Sequence, residues 1–281
     1  YHRSDQFRRV YRRVILPSFS HMVMIVTLVI TLLPIYYAFL LATQVSEEYY
    51  ALQLYPGSAL WENISAVWER VNMGQLLANT TIVSLTVAFG KILLSIIGAF
   101  SFVYFDFRGK TLIFILIMVT HMLPLPVRIV SSYELIDQFK WIDTFQGLTV
   151  PFFASATGIL LFRQLYQTIP PALADAARMD GAGPLQFLTH IVLPLSKTNI
   201  AALFLIEFIY MWNQYLWPLL IANTDATRQV QIGLRQLIAT DAAIEWNYVM
   251  AGVILASLPP LIVLLLLNKN LTSGVSMNQD K

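Results

Sequence analysis

Six long runs of apolar residues, separated by short polar segments, are the feature that most restricts what this chain can fold into. Each run has about 17 to 30 residues, which is long enough to cross a hydrocarbon layer as a helix. A bilayer core offers the backbone no hydrogen-bond partners, so runs of this length are expected to be α-helical. The charged fraction is 12%, well below that of soluble domains. The pattern predicts an all-α integral membrane protein.

The ends of the runs predict six transmembrane helices. The predicted spans are 19–42, 76–105, 111–127, 144–162, 198–222 and 246–268. Residues 1–17 are expected to form a basic cytoplasmic segment, residues 18–268 the transmembrane domain, and residues 269–281 a cytoplasmic tail. The first run is too long for a signal peptide and lacks a clear small-residue cleavage site, so it is expected to remain as a span.

The distribution of basic residues predicts the orientation of the spans. If the N-terminus is cytoplasmic, twelve Lys and Arg residues lie in the inside segments and five in the outside segments. Both termini are therefore expected in the cytoplasm. The same orientation places segment 170–196, between the fourth and fifth spans, in the cytoplasm.

Segment 170–196 is predicted to form two short helices. The first covers residues 172–179 after two prolines, and Gly181, Gly183 and Pro184 are expected to end it. The second helix is expected to end at Pro194. Its apolar face consists of Leu185, Phe187, Leu188, Ile191 and Val192. This face needs either a partner protein or the cytoplasmic ends of the chain's own spans, and periodicity does not choose between them.

Three clusters in this segment resemble the coupling motif of binding-protein-dependent ABC import permeases. They are Asp175-Ala176-Ala177, Asp180-Gly181-Ala182 and Leu193-Pro194-Leu195. The family pattern has Glu-Ala-Ala, three residues, Gly, about nine residues and an apolar–Pro pair, so Asp175 replaces the usual glutamate and reaches one methylene less. The resemblance implies that Asp175, Ala176, Ala177, Asp180, Gly181, Ala182 and Pro194 couple the chain to a cytosolic ATPase.

Other stretches extend the resemblance from about residue 76 to the sixth span. Residues 212–219 (WNQYLWPL) are similar to the fifth-span signature of maltose-type carbohydrate permeases, in the shorter, six-span subunit. Four further stretches look like the second permease subunits of sn-glycerol-3-phosphate importers: 124–129 (PLPVRI), 162–164 (FRQ), 193–203 (LPLSKTNIAAL) and 208–221 (FIYMWNQYLWPLLI).

The resemblance implies a type I importer in a prokaryotic inner membrane. Its parts would be a heterodimer of this chain with a second permease, two copies of a cytosolic ATPase, and an extracytoplasmic solute-binding protein. ATP and Mg²⁺ would be bound by the ATPases, since no Walker pattern occurs in this chain, which is expected to bind no cofactor and not to be an enzyme. The implied cargo is glycerol-3-phosphate or a related glycerophosphodiester, with a neutral sugar such as maltose or trehalose as the alternative.

Two other classes of function make different demands on the chain. An ion-coupled secondary transporter would have inverted repeats and broken spans, neither of which is evident in the sequence. A membrane-bound enzyme would need an intramembrane cluster of His, Asp or Glu. The chain has no cysteine and four scattered histidines, so no metal site is expected.

Lys91 and Glu207 are ionisable residues within predicted spans, where a charge is costly unless it is paired or hydrated. Both lie in the middle third of their spans. Three interpretations stay open: they pair with each other, one of them lines a water-filled pathway, or they contact the second permease.

Four more residues are candidates for a substrate pathway. Arg128, near the outer end of the third span, has a guanidinium fork that suits a phosphate, although a lipid headgroup or backbone carbonyl is the favoured alternative partner. Asn213 is interpreted as a buried amide that needs hydrogen bonds, and Trp212 and Tyr215 as rings that could stack on a ligand. Trp217 is assigned instead to an aromatic belt at the outer interface.

Overall fold

The computed structural model describes residues 16–121, 123–238 and 244–276, and all regular structure in these ranges is helical. This confirms the all-α fold. The helices are α1 (Leu16–Thr43), α2 (Ser46–Tyr50), α3 (Leu60–Arg70), α4 (Met73–Tyr104), α5 (Lys110–His121), α6 (Leu125–Gln138), α7 (Phe145–Thr149), a 3₁₀ turn (Val150–Phe152), α8 (Ala156–Thr168), α9 (Pro171–Met179), α10 (Pro184–Leu195), α11 (Lys197–Trp212), α12 (Leu216–Ile221), α13 (Val230–Ile238) and α14 (Trp246–Ser276).

Three of the predicted spans are continuous helices that are long and apolar enough to cross a membrane. They lie at Ser20–Thr43, Met73–Tyr104 and Trp246–Asn268. Two bent helix pairs raise the number to as many as five, because the two helices of each pair, taken as one span, are also long and apolar enough to cross a membrane. The basic segment before residue 16 lies outside the described residues, whereas residues 269–276 of the predicted tail continue α14.

The third predicted span, 111–127, is wrong as a single helix. Helix α5 ends at His121 and α6 begins at Leu125, so the predicted polar loop 128–143 is largely helical. Pro124 and Pro126 account for the break, since proline lacks an N–H donor and disfavours helical geometry in the residue before it. A helix as short as α5 extends only about 18 Å.

The fourth predicted span, 144–162, consists of α7, a 3₁₀ turn and α8, bent by 43°, and it extends to Thr168. Polar side chains start both helices inside this apolar run. The Thr144 hydroxyl accepts a hydrogen bond from the Gly147 N–H, and the Ser155 hydroxyl accepts one from the Gly158 N–H. Capping therefore breaks the run where hydropathy alone predicts continuity.

The fifth predicted span, 198–222, is also interrupted. Helix α11 ends at Trp212 and α12 begins at Leu216. Pro218 gives the reason, because its ring would clash with the Gln214 carbonyl in a continuous helix. The three residues between the helices, Asn213, Gln214 and Tyr215, lie within the stretch 212–219 that is similar to the signature of maltose-type permeases.

The chain divides into two compact units. The first comprises residues up to Arg70 together with Leu237–Leu255. Within it, the buried Asn63 amide donates to the carbonyls of Ala42 and Gln44, at 2.9 Å each, and accepts a hydrogen bond from Asn247. These bonds give hydrogen-bond partners to the buried carbonyls of Ala42 and Gln44, which apolar side chains could not provide.

The second unit comprises Val71–Gln236 and the chain from Ala256 onward, and α4 runs through its centre. Two groups of buried side chains surround this helix. The first cluster includes Val83, Val87, Leu148, Phe152, Met211 and Trp217. The second cluster includes Ile92, Phe100, Phe162, Tyr166, Phe187, Val192 and Leu203. Beside the second cluster, α8 lies very close to α4, since a Cβ on Gly158 would be 2.2 Å from the Ser95 hydroxyl.

Candidate functional site

Lys91 on α4 and Glu207 on α11 form an ion pair in the interior of the second unit. The Lys91 ammonium lies 2.5 Å from the Glu207 carboxylate, and the two side chains are 9% and 8% exposed. The first of the three interpretations of these residues is therefore confirmed. A charge this deeply buried is costly unless a counter-charge lies beside it, and each of these residues supplies that counter-charge to the other.

The pair occupies a polar level between the two apolar clusters. On α11, Leu203 belongs to the second cluster and Met211 to the first, one helical turn on either side of Glu207. On α4, Val87 of the first cluster lies four residues before Lys91, and Ile92 and Ile96 of the second cluster lie one and five residues after it. Positions four apart share a helix face, so the core face of α11 carries one charge between two apolar turns.

Two further groups complete the polar level. The Ser155 hydroxyl, at the start of α8, donates to the second oxygen of the Glu207 carboxylate at 3.4 Å. The Lys91 ammonium also lies 4.9 Å from the centre of the Tyr210 ring, within range of a cation–π interaction. The bend between α7 and α8 thus places a hydroxyl where the buried carboxylate needs a donor.

A cavity of about 460 Å³ opens beside the pair. Its lining includes Lys91, Glu207, Arg128, Thr120, Ser155, Thr157 and Tyr210, together with apolar residues such as Ile117, Ile159 and Ile206. The structure therefore brings together three candidates from the sequence, Lys91, Glu207 and Arg128, whose positions span more than a hundred residues. Their role in a substrate pathway stays a prediction.

The structure does not place Trp212, Asn213 or Tyr215 on this cavity. Trp212 is buried, and its indole N–H donates to the Ala256 carbonyl at 3.0 Å. Tyr215 packs against the first cluster, and its ring faces the Arg235 guanidinium at 5.5 Å. The interpretation of Asn213 as a buried amide is wrong, because this side chain is exposed and donates to the Ile209 carbonyl of its own helix.

The assignment of Trp217 to an aromatic belt is also wrong. Trp217 is 1% exposed within the first cluster, and its indole N–H donates to the Gly147 carbonyl at 3.0 Å. Because α7 has only five residues, its carbonyls lack helical partners and can accept this bond. The short helix was not predicted, so the buried position of Trp217 was not predicted either.

Asp143 is a structural centre that the sequence analysis missed. It lies between α6 and α7, and its carboxylate accepts hydrogen bonds from the Asn223 and Thr224 amides and from the Thr224 and Thr227 hydroxyls. Burial raises the pKa of Asp143, but these four donors outweigh it and lower the pKa to about 2. Its backbone has a φ of 57°, a geometry that Asp tolerates better than most residues.

In segment 170–196, the predicted break between two helices is confirmed. Gly181 has a φ of 77°, the Gly181 N–H bonds to Arg178, and the Ala182 N–H bonds to the Ala177 carbonyl at 2.9 Å. This is the Schellman arrangement that ends many helices, and it requires a left-handed residue. Asp180, the residue before it, is exposed.

The expected end of the second helix at Pro194 is confirmed to within one residue. Helix α10 ends at Leu195, and the chain then bends by 75° into α11. A wider π turn at Leu188–Val192 precedes the proline, with the Leu193 N–H bonded to the Leu188 carbonyl. This wider turn accommodates the proline ring within the helix.

The apolar face of α10 is partly used within the chain. Phe187, Leu188 and Val192 are buried in the second cluster, where the Phe187 ring meets Tyr104 edge-on at 5.1 Å. Leu185 was predicted on this face but is 71% exposed, and Met179 at the end of α9 is 83% exposed. The loop therefore packs one side on its own helices and presents apolar side chains on another.

Charged residues of this segment lie at the surface. Asp175 and Arg178 form an ion pair at 3.3 Å on consecutive turns of α9, with side chains 65% and 69% exposed.

Behind α9 and α10, a cavity of about 230 Å³ is lined by Phe100, Tyr104, Ala177 and Phe187, among others. In the part of the chain that the structure describes, no group of three or more His, Asp or Glu residues is arranged to hold a metal ion.

An all-helical chain with several long apolar helices has the architecture of an integral membrane protein. The sequence pattern of the family described as "Binding-protein-dependent transport system inner membrane component" matches residues 91–277, so the chain belongs to this family. It is therefore a transport component of the inner membrane and not an enzyme. The bent helix pairs that would suit a secondary transporter occur here in a binding-protein-dependent component.

Particular relatives resemble the chain over nearly its whole length. The sn-glycerol-3-phosphate transport system permease protein UgpE of Pectobacterium atrosepticum is 43% identical over 92% of this chain and 96% of its own. UgpE of Rhizobium meliloti is 44% identical over 95% of this chain and 98% of its own. A chain of a bacterial ABC transporter involved in the import of the acidic polysaccharide alginate matches the fold with a TM-score of 0.74 and 22% identity, covering 96% of this chain and 98% of that chain.

Proposed function

We propose that this chain is a permease subunit of an ATP-driven importer of sn-glycerol-3-phosphate or a related glycerophosphodiester. The observation that carries the proposal is the nearly full-length similarity to permeases named for sn-glycerol-3-phosphate transport. The chain forms one half of the translocation pathway in a heterodimer with a second permease. Two ATPase copies bind ATP and Mg²⁺, and an extracytoplasmic binding protein delivers the substrate.

The proposed topology has six spans, with both termini in the cytoplasm. Three continuous helices and two bent pairs support five of the spans, and α5 with the chain after its break supplies the remaining one. The excess of basic residues in the proposed inside segments supports the orientation. Residues 18–268 form the transmembrane domain in this scheme, with 1–17 and 269–281 as cytoplasmic segments.

Segment 170–196 is proposed as the surface that docks to the ATPase. Exposed Met179 and Leu185 support this role, because apolar side chains this exposed gain free energy when a partner covers them. Exposed Asp175 and Arg178 offer charges to the same partner. Phe187 and Val192 bind the other side of the loop to α4 and α8, so closure of the ATPases moves the spans through these contacts.

Transport by the whole complex in proteoliposomes tests the substrate. Uptake of labelled sn-glycerol-3-phosphate should require ATP and the binding protein, and unlabelled sn-glycerol-3-phosphate should compete. Maltose and trehalose should not compete. Uptake of a labelled neutral sugar, without uptake of sn-glycerol-3-phosphate, would contradict the proposal and support the sugar alternative.

Charged substitutions in the loop test the docking surface. Met179→Glu and Leu185→Glu should leave folding unchanged, because both side chains are exposed. They should lower transport and the ATPase activity that the binding protein stimulates, by about tenfold or more if docking loses a few kcal/mol. Gln167→Glu adds the same charge at an exposed position of α8 and should have little effect. Normal transport by both loop variants would show that the loop only packs.

A further inference from the structure

The cavity beside the buried ion pair has an unequal balance of charge. Three charged side chains line it, and two of them, Lys91 and Glu207, neutralise each other at 2.5 Å. Within the described ranges no carboxylate lies within ion-pair distance of the third, Arg128. The lining therefore carries one uncompensated positive charge, which favours an anion over a neutral molecule.

The position of Arg128 suits a ligand rather than a structural contact. It lies in the first turn of α6, directly after the break at Pro124, and it is exposed to the cavity. The planar guanidinium can donate two parallel hydrogen bonds to two oxygens of one phosphate. The charge of Lys91 is already compensated by Glu207, so Lys91 attracts an incoming anion less than Arg128 does.

The rest of the lining suits the remainder of a small phosphate ester. The hydroxyls of Thr120 and Tyr210 are polar groups on an otherwise mostly apolar wall, and they can bond to ligand hydroxyls. A volume of about 460 Å³ lies in the range of small-molecule sites. Few polar groups on apolar walls are typical of sites that orient a ligand.

We infer that this cavity is a phosphate-ester site in which Arg128 binds the phosphate group. The Lys91–Glu207 pair keeps the remaining lining electrically neutral. The inference rests on the proposed function for the identity of the substrate, but the phosphate chemistry does not depend on it. The phosphate can come from a transported ester or from a lipid headgroup at the membrane interface, and the experiment distinguishes the two.

The test measures the melting temperature of the importer, purified in detergent without its binding protein. sn-Glycerol-3-phosphate and inorganic phosphate should raise this temperature, and glycerol should not. Arg128→Gln should reduce the shift, and Arg128→Lys should reduce it less. Arg163→Gln is the matched control, because Arg163 lies over the Phe114 ring and does not line the cavity. The ATPase subunits also bind phosphates, so only the difference between Arg128→Gln and the unmodified importer counts.

Three outcomes are decisive. A shift with soluble phosphates that requires Arg128 identifies the transported ester as the ligand. A shift that requires Arg128 but appears only with phosphatidylglycerol identifies a lipid headgroup. If Arg128→Gln responds to all of these probes as the unmodified importer does, the inference is overturned.

A transport measurement adds an independent reading. In proteoliposomes, Arg128→Gln should lower the sn-glycerol-3-phosphate imported per ATP hydrolysed by about tenfold, as expected for lost hydrogen bonds to a charged group. Arg163→Gln should not. If the unmodified importer carries no sn-glycerol-3-phosphate, the proposed function fails, whereas the shift with inorganic phosphate still tests the anion site.

Discussion

Two acid–base pairs in this chain differ in almost every physical respect. Lys91 and Glu207 lie on helices far apart in sequence, at 2.5 Å, with less than a tenth of each side chain exposed. Asp175 and Arg178 lie on one helix, at 3.3 Å, with about two thirds of each side chain exposed. Burial makes the first pair costly to break, because removing either charge leaves the other mostly buried without a counter-charge. The second pair is optional, since water replaces either partner.

This difference matches two different tasks. A buried pair that cannot exchange partners holds α4 and α11 in register and neutralises one wall of the cavity. An exposed pair can exchange its partner for a residue of another protein at little cost. The coupling surface proposed for α9 and α10 needs that freedom, and the interior of the bundle excludes it.

The largest effect is expected when the buried pair is broken. Glu207→Leu leaves the Lys91 ammonium buried without a counter-charge and should destabilise the chain by about 3–5 kcal/mol. The melting temperature of the purified importer measures this loss. The double variant Lys91→Met/Glu207→Leu removes both charges and should regain most of it. If the single and double variants have the same melting temperature, the unpaired Lys91 charge is not the cause of the lost stability.

A smaller effect is expected at Asp143, which is only partly buried. Asp143→Asn should cost about 1–2 kcal/mol, because the four donors lose a charged acceptor. The ordinary pKa is 3.8 and the folded pKa is about 2, so the carboxylate stabilises the fold fully above about pH 4. This contribution is lost as the pH falls towards 2.

The pH dependence separates this cause from a general effect of the substitution. The difference in melting temperature between the unmodified chain and Asp143→Asn, measured in detergent from about pH 5 to about pH 2, should shrink towards zero. A difference that stays constant over this range would mean that the charge of Asp143 does not contribute.

A change in backbone strain alone is expected at Gly181. Gly181→Ala should cost about 1 kcal/mol because of the φ of 77°, although open space surrounds the position. Gly181→Asn should cost less, since Asn adopts this geometry more readily. Hydrogen exchange of the α9 amides measures the effect. Gly183→Ala is the control, with an ordinary φ of −73°, and faster exchange in it than in Gly181→Ala would contradict the explanation.

The smallest effect on stability is expected at the exposed pair. Asp175→Asn and Arg178→Gln should each change the stability by less than about 0.5 kcal/mol. Equal melting temperatures, combined with reduced transport, would assign the pair to the ATPase contact. A loss of stability as large as that of Glu207→Leu would remove the distinction between the two pairs.

Much of the fold could be predicted from local sequence signals. Both ends of α1 and α4 and the start of α14 follow the apolar runs closely, because hydropathy acts on each segment separately. The turn at Gly181 was predicted because glycine is the residue that adopts a left-handed cap most readily. The breaks before Leu125, Ala156 and Leu216 were not predicted, although Pro126, Ser155 and Pro218 are present, because hydropathy outweighed these breakers in the interpretation.

The candidate site was only partly predictable. Lys91, Glu207 and Arg128 were singled out one by one because charge in an apolar run is costly wherever it occurs. Trp212 and Trp217 were misassigned because their indole N–H groups bond to carbonyls of distant segments, Ala256 and Gly147. Asp143 was missed for the same reason, since its donors come from residues about eighty positions away.

The sequence by itself determined an all-helical membrane chain, the approximate positions of its apolar helices and the turn between α9 and α10. These features depend on interactions among residues that are near one another along the chain. Only the tertiary structure decided that Lys91 meets Glu207, that Arg128 shares their cavity, and that Leu185 faces away from the core. Which helix faces meet depends on bends, caps and close approaches such as that at Gly158, and these follow from packing rather than from periodicity.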